Sequence, residues 1–180
     1  MGNRIVIGLT GLPGSGKTEV AKILKKLGFK IFSMGDVVRD EVKERGLELK
    51  RKNLEKVAIE VREKEGKDAV AKRIIEKVKN ISCEKICIDG IRGYEEICAF
   101  KKAFKNFKLI AVVCSKDKRI ARLKERNRSD DDLKKLEERE RHERLLGIDK
   151  AIEAADVRIL NDGSLENLEK EVRKVLLNLY

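Results

Sequence analysis

Eight residues near the start of the chain, Gly11-Leu12-Pro13-Gly14-Ser15-Gly16-Lys17-Thr18, fill the pattern G-x-x-x-x-G-K-[ST] completely. Glycines at these points let successive backbone N–H groups turn toward one anion. A helix starting just after them adds the partial positive charge of its N-terminus. Lys17 then has the reach to meet the β and γ oxygens of a polyphosphate, and Thr18 has a hydroxyl suited to ligating Mg2+. A strand expected to end at Leu9 and a helix expected to begin at Lys17 supply the context this loop needs. The chemistry implied is the holding of a nucleoside triphosphate, with ATP and Mg2+ as the expected cofactors. A second candidate is Asp89, which closes the apolar run Lys85-Ile86-Cys87-Ile88-Asp89. An acid at a strand end beside a phosphate loop can hold a water of the Mg2+ shell, or it can cap a following helix. The apolar company before Asp89 argues for the metal role.

Groups of this kind need a rigid frame. Apolar runs of strand length at 4–9, 30–33, 85–89, 108–114 and 157–160 alternate with longer stretches of helical periodicity. The strand interiors are nearly continuous hydrophobics, as strands covered on both faces require. The fold class expected is therefore α/β, a parallel sheet wrapped by helices. Residues 35–80 exceed the length of one crossover helix and read as two or three charged helices broken near Gly46 and Gly66. A second interruption, 115–147, is dense in Arg, Lys, Glu and Asp, with a break at Arg126-Asn127-Arg128-Ser129-Asp130-Asp131-Asp132.

Composition narrows the function classes. At 180 residues the chain fits a single domain, 1–180. Its net charge is +11 on a surface where 42% of residues are charged, which suits small polyanionic substrates as well as RNA. Aromatics make up only 4% and Trp is absent, so the stacking platforms of single-strand binders are missing and nucleic acid is the minority reading. Cys83, Cys87, Cys98 and Cys114 lack paired C-x-x-C spacing and the only histidine, His142, is remote, so no zinc site is expected. Cys87 and Cys114 fall in apolar runs and read as buried reduced thiols. The first residues lack a signal-peptide h-region or a membrane span, so a soluble, cytoplasmic protein without a membrane partner is expected. Abundant Lys, Glu and Arg fit a thermophilic source.

Taken in order, the phosphate loop, Ser33-Met34-Gly35-Asp36-Val37-Val38-Arg39, Asp89-Gly90-Ile91-Arg92, an arginine-rich segment and Asn161-Asp162-Gly163-Ser164 resemble the adenylate kinase and dephospho-CoA kinase superfamily. The similarity covers nearly the whole chain and looks closest to a group of small archaeal proteins related to those kinases. It implies a P-loop NTPase fold with a five-stranded parallel sheet of order 2-3-1-4-5. It also implies a helical acceptor-covering insertion around 36–80 and a lid around 116–145. The activity implied is transfer of the ATP γ-phosphoryl group to a small nucleotide or nucleotide-like acceptor.

The resemblance assigns roles residue by residue. Gly35 and Arg39 would belong to the acceptor helix, with Arg39 on the acceptor's phosphate; the residues alone allow an ion pair on that helix instead. Arg92 would grip the acceptor as well. The kinase motif Asp-Gly-x-Pro-Arg is one residue longer than Asp89-Gly90-Ile91-Arg92, which changes the angle of approach, and Met34 stands where adenylate kinases place a threonine. Asp36 is the candidate base for a hydroxyl acceptor, or the cap of its own helix. Arg119, Arg122 and Arg126 are spaced to share one helical face, with Arg128 at the break. The resemblance makes Arg122, Arg126 and Arg128 the lid residues that bring positive charge to the transferring group, ahead of Arg139 and Arg141. Asn161 and Gly163 would border the adenine ring, while Ser164 reads as the cap of the final helix. Two other classes stay open: an ATPase acting on an RNA or ribonucleoprotein partner, and a nucleotide sensor with little turnover.

Overall fold

The computed structural model describes residues 4–125 and 133–179. Strand β1 (Ile5–Thr10) leads through the phosphate loop into α1 (Lys17–Lys26), and β2 (Lys30–Ser33) follows. Three helices come next: α2 (Met34–Glu44), α3 (Arg51–Glu65) and α4 (Ala69–Lys79). Gly46 and Gly66 stand between them at positive φ, 68° and 101°. The chain returns through β3 (Lys85–Asp89), α5 (Tyr94–Ala103) and β4 (Phe107–Val113), then runs through α6 (Lys116–Glu125), α7 (Leu133–Leu145) and α8 (Ile148–Glu153). It ends with β5 (Val157–Leu160) and α9 (Leu165–Leu179).

The five strands form one parallel sheet of order β2-β3-β1-β4-β5, the expected arrangement. Alternation along each strand explains the unbroken apolar runs. Val6, Ile86, Ile88 and Leu109 face a layer built by α2, α3, α4, α5 and α8, while Ile7, Leu9, Cys87, Ile110 and Val112 face α1 and α9. Each helix presents a matching stripe. On α9 the buried residues are Leu168, Val172 and Val175, spaced by four and three, and on α4 Ala71, Ile74, Ile75 and Val78 repeat with the same period.

Parallel pairing also sets the site. Leu9 and Ser33 both pair with Asp89, so the ends of β1, β2 and β3 lie in one row. The phosphate loop, the start of α2 and the Gly90–Arg92 turn therefore leave the sheet side by side at its C-terminal edge, where open α/β sheets bind ligands. Among the described residues, no helix is long and apolar enough to cross a membrane.

Three sequence expectations shift. β1 runs one residue beyond the expected end, and β4 begins and ends one residue early. That shift leaves Cys114 outside the sheet and only half-buried. Of the four free thiols Cys87 alone is buried, and Cys98 is exposed.

Phe100 is fully buried, and its ring stacks on Phe107 with centroids 5.6 Å apart, joining α5 to the edge of β4. Replacing Phe100 with Ala is expected to cost about 3–5 kcal/mol of unfolding free energy, measured by urea denaturation.

Candidate active site

The phosphate loop has the shape its glycines predict. A Cβ at Gly11, φ +144°, would lie 2.3 Å from the carbonyl oxygen of Val112, and one at Gly16, φ +99°, would lie 2.0 Å from Asn161 Nδ2. Only glycine fits either point. Lys17 folds back over the loop and donates from Nζ to Gly11 O at 2.5 Å and Leu12 O at 3.1 Å. Burial lowers its pKa to about 8, partly offset by the charges of Asp89 and Glu143. Thr18 is exposed on the first turn of α1.

Several polar atoms beside the loop await a partner. Thr10 Oγ1, Ser15 Oγ and Asp89 Oδ1 are buried and make no hydrogen bond among the described residues. Buried polar groups are seldom left so, and a ligand is a recognised reason. Burial raises the Asp89 pKa, while Lys17 and Arg92 act in the opposite sense. The donor set fits a polyphosphate with a hard cation: turned backbone amides, one lysine, serine and threonine hydroxyls and one carboxylate. Asp89 does not cap a helix, because α5 is capped at Gly93.

The outer wall of the loop is held by residues from far along the chain. Asn161 Nδ2 donates to Ser15 O at 2.8 Å. Arg122 Nη2 donates to Asn161 O at 2.8 Å and, more loosely, to Asn161 Oδ1 at 3.3 Å. A cavity of about 490 Å3 opens there, lined by Gly16, Glu19, Arg122, Asn161, Gly163 and Leu165 among others. Ser164 accepts from Asn167 N at 3.2 Å and so caps α9. Arg119, on the same helix as Arg122, is buried; it pairs with Glu140 and reaches Pro13 O at 3.5 Å. Arg126 and Arg128 lie outside the described residues.

A second cavity, about 390 Å3, lies on the α2 and α3 side and is lined by Gly35, Arg39, Arg51, Arg92, Arg139 and Glu143 among others. Arg92 Nε donates to Glu143 Oε2 at 2.5 Å and Nη1 to Gly90 O at 2.7 Å. Burial opposes the charge of Arg92, and Glu143 more than compensates. Burial would likewise raise the Glu143 pKa, but Arg92 holds it below the ordinary value. His142, in the same wall, has its pKa lowered by burial, against the charges of Glu55 and Glu143. Arg141 is exposed.

Asp36 and Arg39 meet each other. Arg39 Nε donates to Asp36 Oδ1 at 3.0 Å, and both side chains are substantially exposed, 44% and 62%. Asp36 therefore does not cap α2; Ser33 occupies that position and Asp36 sits in the first turn. The sequence reading missed the buried support of this site. Glu96, fully buried, accepts from Arg92 N at 2.9 Å and Gly93 N at 3.0 Å and pairs with Arg62 at 2.6 Å. A Glu three residues after Gly93 is a readable cap signal, but nothing local points to Arg62 or to Glu143.

The lowered pKa of Lys17 makes a prediction. Between pH 8 and 10.5 the unfolded chain keeps a proton that the folded one has released, so folding stability gains from Lys17 as pH rises through that window. Lys17→Met is expected to remove that gain, read from urea unfolding of both proteins at the two ends of the window.

Comparison with known proteins agrees with this geometry. A family model for an AAA domain matches residues 10–140. A UPF0200/UPF0201 protein of Archaeoglobus fulgidus is 46% identical over 97% of this chain, which spans only 55% of that longer protein. A UPF0200 protein of Methanosarcina mazei is 39% identical, covering 96% of this chain and 94% of its own length. The crystal structure of TT1252 from Thermus thermophilus superposes with a TM-score of 0.70 over 99% of this chain and 100% of that one. At 22% identity that likeness speaks to the fold alone. With its phosphate loop, its sheet order and relatives matched along nearly its full length, the chain belongs to the UPF0200 family and carries a nucleotide-binding, P-loop kinase-like AAA domain.

Proposed function

We propose that this protein transfers the γ-phosphoryl group of ATP to a small nucleotide or nucleotide-like acceptor. The observation that carries the reading is a pair of cavities, one reaching the phosphate loop at Gly16 and the other lined by charged residues whose field acts on Lys17. One is bordered by Gly16, Asn161 and Gly163 and suits the nucleoside of ATP. The other is bordered by Gly35, Arg39 and Arg92 and suits an anionic acceptor. Lys17 feels the charges of Glu143, Arg92 and Arg139 from the second cavity as well as that of Asp89, which ties that cavity electrostatically to the loop.

In this reading the backbone N–H groups that follow Pro13 in the loop and the Lys17 ammonium hold the β and γ phosphates. Thr18 and Asp89 would hold Mg2+, which when bound neutralises charge developing on the phosphates. Arg92 and Arg39 grip the acceptor, a planar guanidinium being suited to two parallel bonds to phosphate. Arg122 braces the loop from the nucleoside side. The Asp36 carboxylate is engaged with Arg39 at the solvent edge. That favours an acceptor whose attacking oxygen already carries charge, a phosphate monoester, for which alignment and charge neutralisation suffice.

The test is ADP formation from ATP with Mg2+, alone and with a panel of nucleoside monophosphates and dephospho-CoA. Acceptor-dependent ADP is expected; steady hydrolysis that no acceptor accelerates, or that RNA stimulates, overturns transfer in favour of an ATPase. Lys17→Ala is expected to lower turnover by about a hundredfold or more with the circular dichroism of the fold unchanged. Arg92→Ala should raise KM for the acceptor more than KM for ATP, and the reverse ordering would mean that the acceptor site lies elsewhere.

A further inference from the structure

Helix α7 carries two carboxylates three residues apart, one holding an arginine that lines the acceptor-side cavity and the other an arginine packed against the phosphate loop. Glu143 takes Arg92 by Nε, while Gly90 O takes Nη1. Those two contacts leave Nη2 as the donor that neither uses, on a side chain lining the acceptor-side cavity. Glu140 pairs with Arg119, whose Nη1 also reaches Pro13 O in the phosphate loop. The backbone of Arg119 backs the same loop, because a Cβ at Gly14 would come within 2.9 Å of Arg119 O. Both pairs are shielded, with side-chain exposures of 26% and 16% for the first and 8% and 14% for the second.

Ion pairs this enclosed contribute little net stability against hydrophobic alternatives, because desolvation of both charges cancels much of their attraction. What they do supply is geometry. A free arginine must lose rotamer freedom to grip a phosphate, whereas one already fixed at two of its nitrogens loses less. The spacing of Glu140 and Glu143 puts both carboxylates on one helical face. A single turn of α7 therefore reaches both the acceptor-side cavity and the phosphate loop.

We infer that Glu143 and Glu140 are positioning residues, Glu143 orienting Arg92 toward an anionic acceptor and Glu140 bracing the phosphate loop through Arg119. The inference rests on the phosphoryl-transfer reading for the identity of the loop's ligand and of the acceptor-side cavity. It assigns to α7 the alignment of that cavity against the loop.

The test uses the full chain with isotope-labelled arginine and two probes. ATP with Mg2+ is titrated by calorimetry. Inorganic phosphate is titrated against the Arg92 Nε resonance, on protein saturated with a non-hydrolysable ATP analogue. Glu143→Ala is expected to weaken phosphate about tenfold and leave ATP affinity within about twofold, in line with the cost of removing a residue that orients a ligating group. Glu143→Gln, whose side-chain carbonyl still accepts from Nε, should lose less. Glu140→Ala is expected to weaken ATP about tenfold and leave phosphate unchanged.

Tighter phosphate binding by Glu143→Ala would make Glu143 a repelling counter-charge and overturn the inference. Equal changes in both affinities for either variant would reduce the pairs to structural ones and overturn it too. A wild-type Arg92 resonance that ignores phosphate overturns the Glu143 half. Wild-type protein that gives no heat with ATP overturns the phosphoryl-transfer reading together with the Glu140 half. Phosphate titrated without the analogue then still decides the Glu143 half.

Discussion

Parallel pairing of β1 with β3 and of β3 with β2 puts Leu9, Ser33 and Asp89 in one row at the C-terminal edge of the sheet. Strand ends that finish together release their loops together, so the phosphate loop, the first turn of α2 and the Gly90–Arg92 turn emerge as neighbours. The register sets Asp89 against the end of β1, and the phosphate loop that follows brings Lys17 within reach of its charge. Both faces of the sheet are covered, which withholds water from this carboxylate and ammonium and shifts both pKa values toward the neutral forms. A polyphosphate and a hard cation would restore full charge to each.

Around this row the protein uses buried ion pairs as fixtures. Arg62 with Glu96, Arg92 with Glu143 and Arg119 with Glu140 join segments 34, 51 and 21 residues apart. Glu96 shows the economy of the arrangement, since one carboxylate caps α5, holds the backbone of Arg92 and neutralises Arg62. Removing one partner of such a pair would strand the other, so the network specifies one arrangement of α3, α5 and α7 more than it stabilises the chain.

The outer surface follows a different logic. Glu41 pairs with both Arg45 and Arg73, Arg45 reaches on to Glu60 and Arg73 to Glu65. These links tie α2, α3 and α4 into one charged network, and the two arginines hold the Glu41 pKa below its usual value. Networks of this kind gain over isolated pairs as temperature rises, because the hydration of charge becomes less favourable. The high share of charged residues is thus organised, and the basic excess gathers in part where the acceptor-side cavity opens.

The phosphate loop, the five strands and the glycine breaks were legible in the sequence because each is decided by residues in contact along the chain. Gly11 and Gly16 set their own backbone angles, and alternation within a strand reports two covered faces whatever covers them. The cap at Ser164 was readable for the same reason. Partners of charged side chains were not. Asp36 read as a base or a cap, and the helix ion pair open to Arg39 is made with Asp36; Asn161 and Arg122 also clasp Ser15 O and each other, contacts that no local pattern announces. Glu143 carried no local signal at all. An ion pair falls steeply with distance, and only the packing of α7 against the Gly90–Arg92 turn brings Glu143 and Arg92 together. The chain's local chemistry thus determined that an anion could be held and where, while the tertiary fold decided which arginines face it and what holds them there.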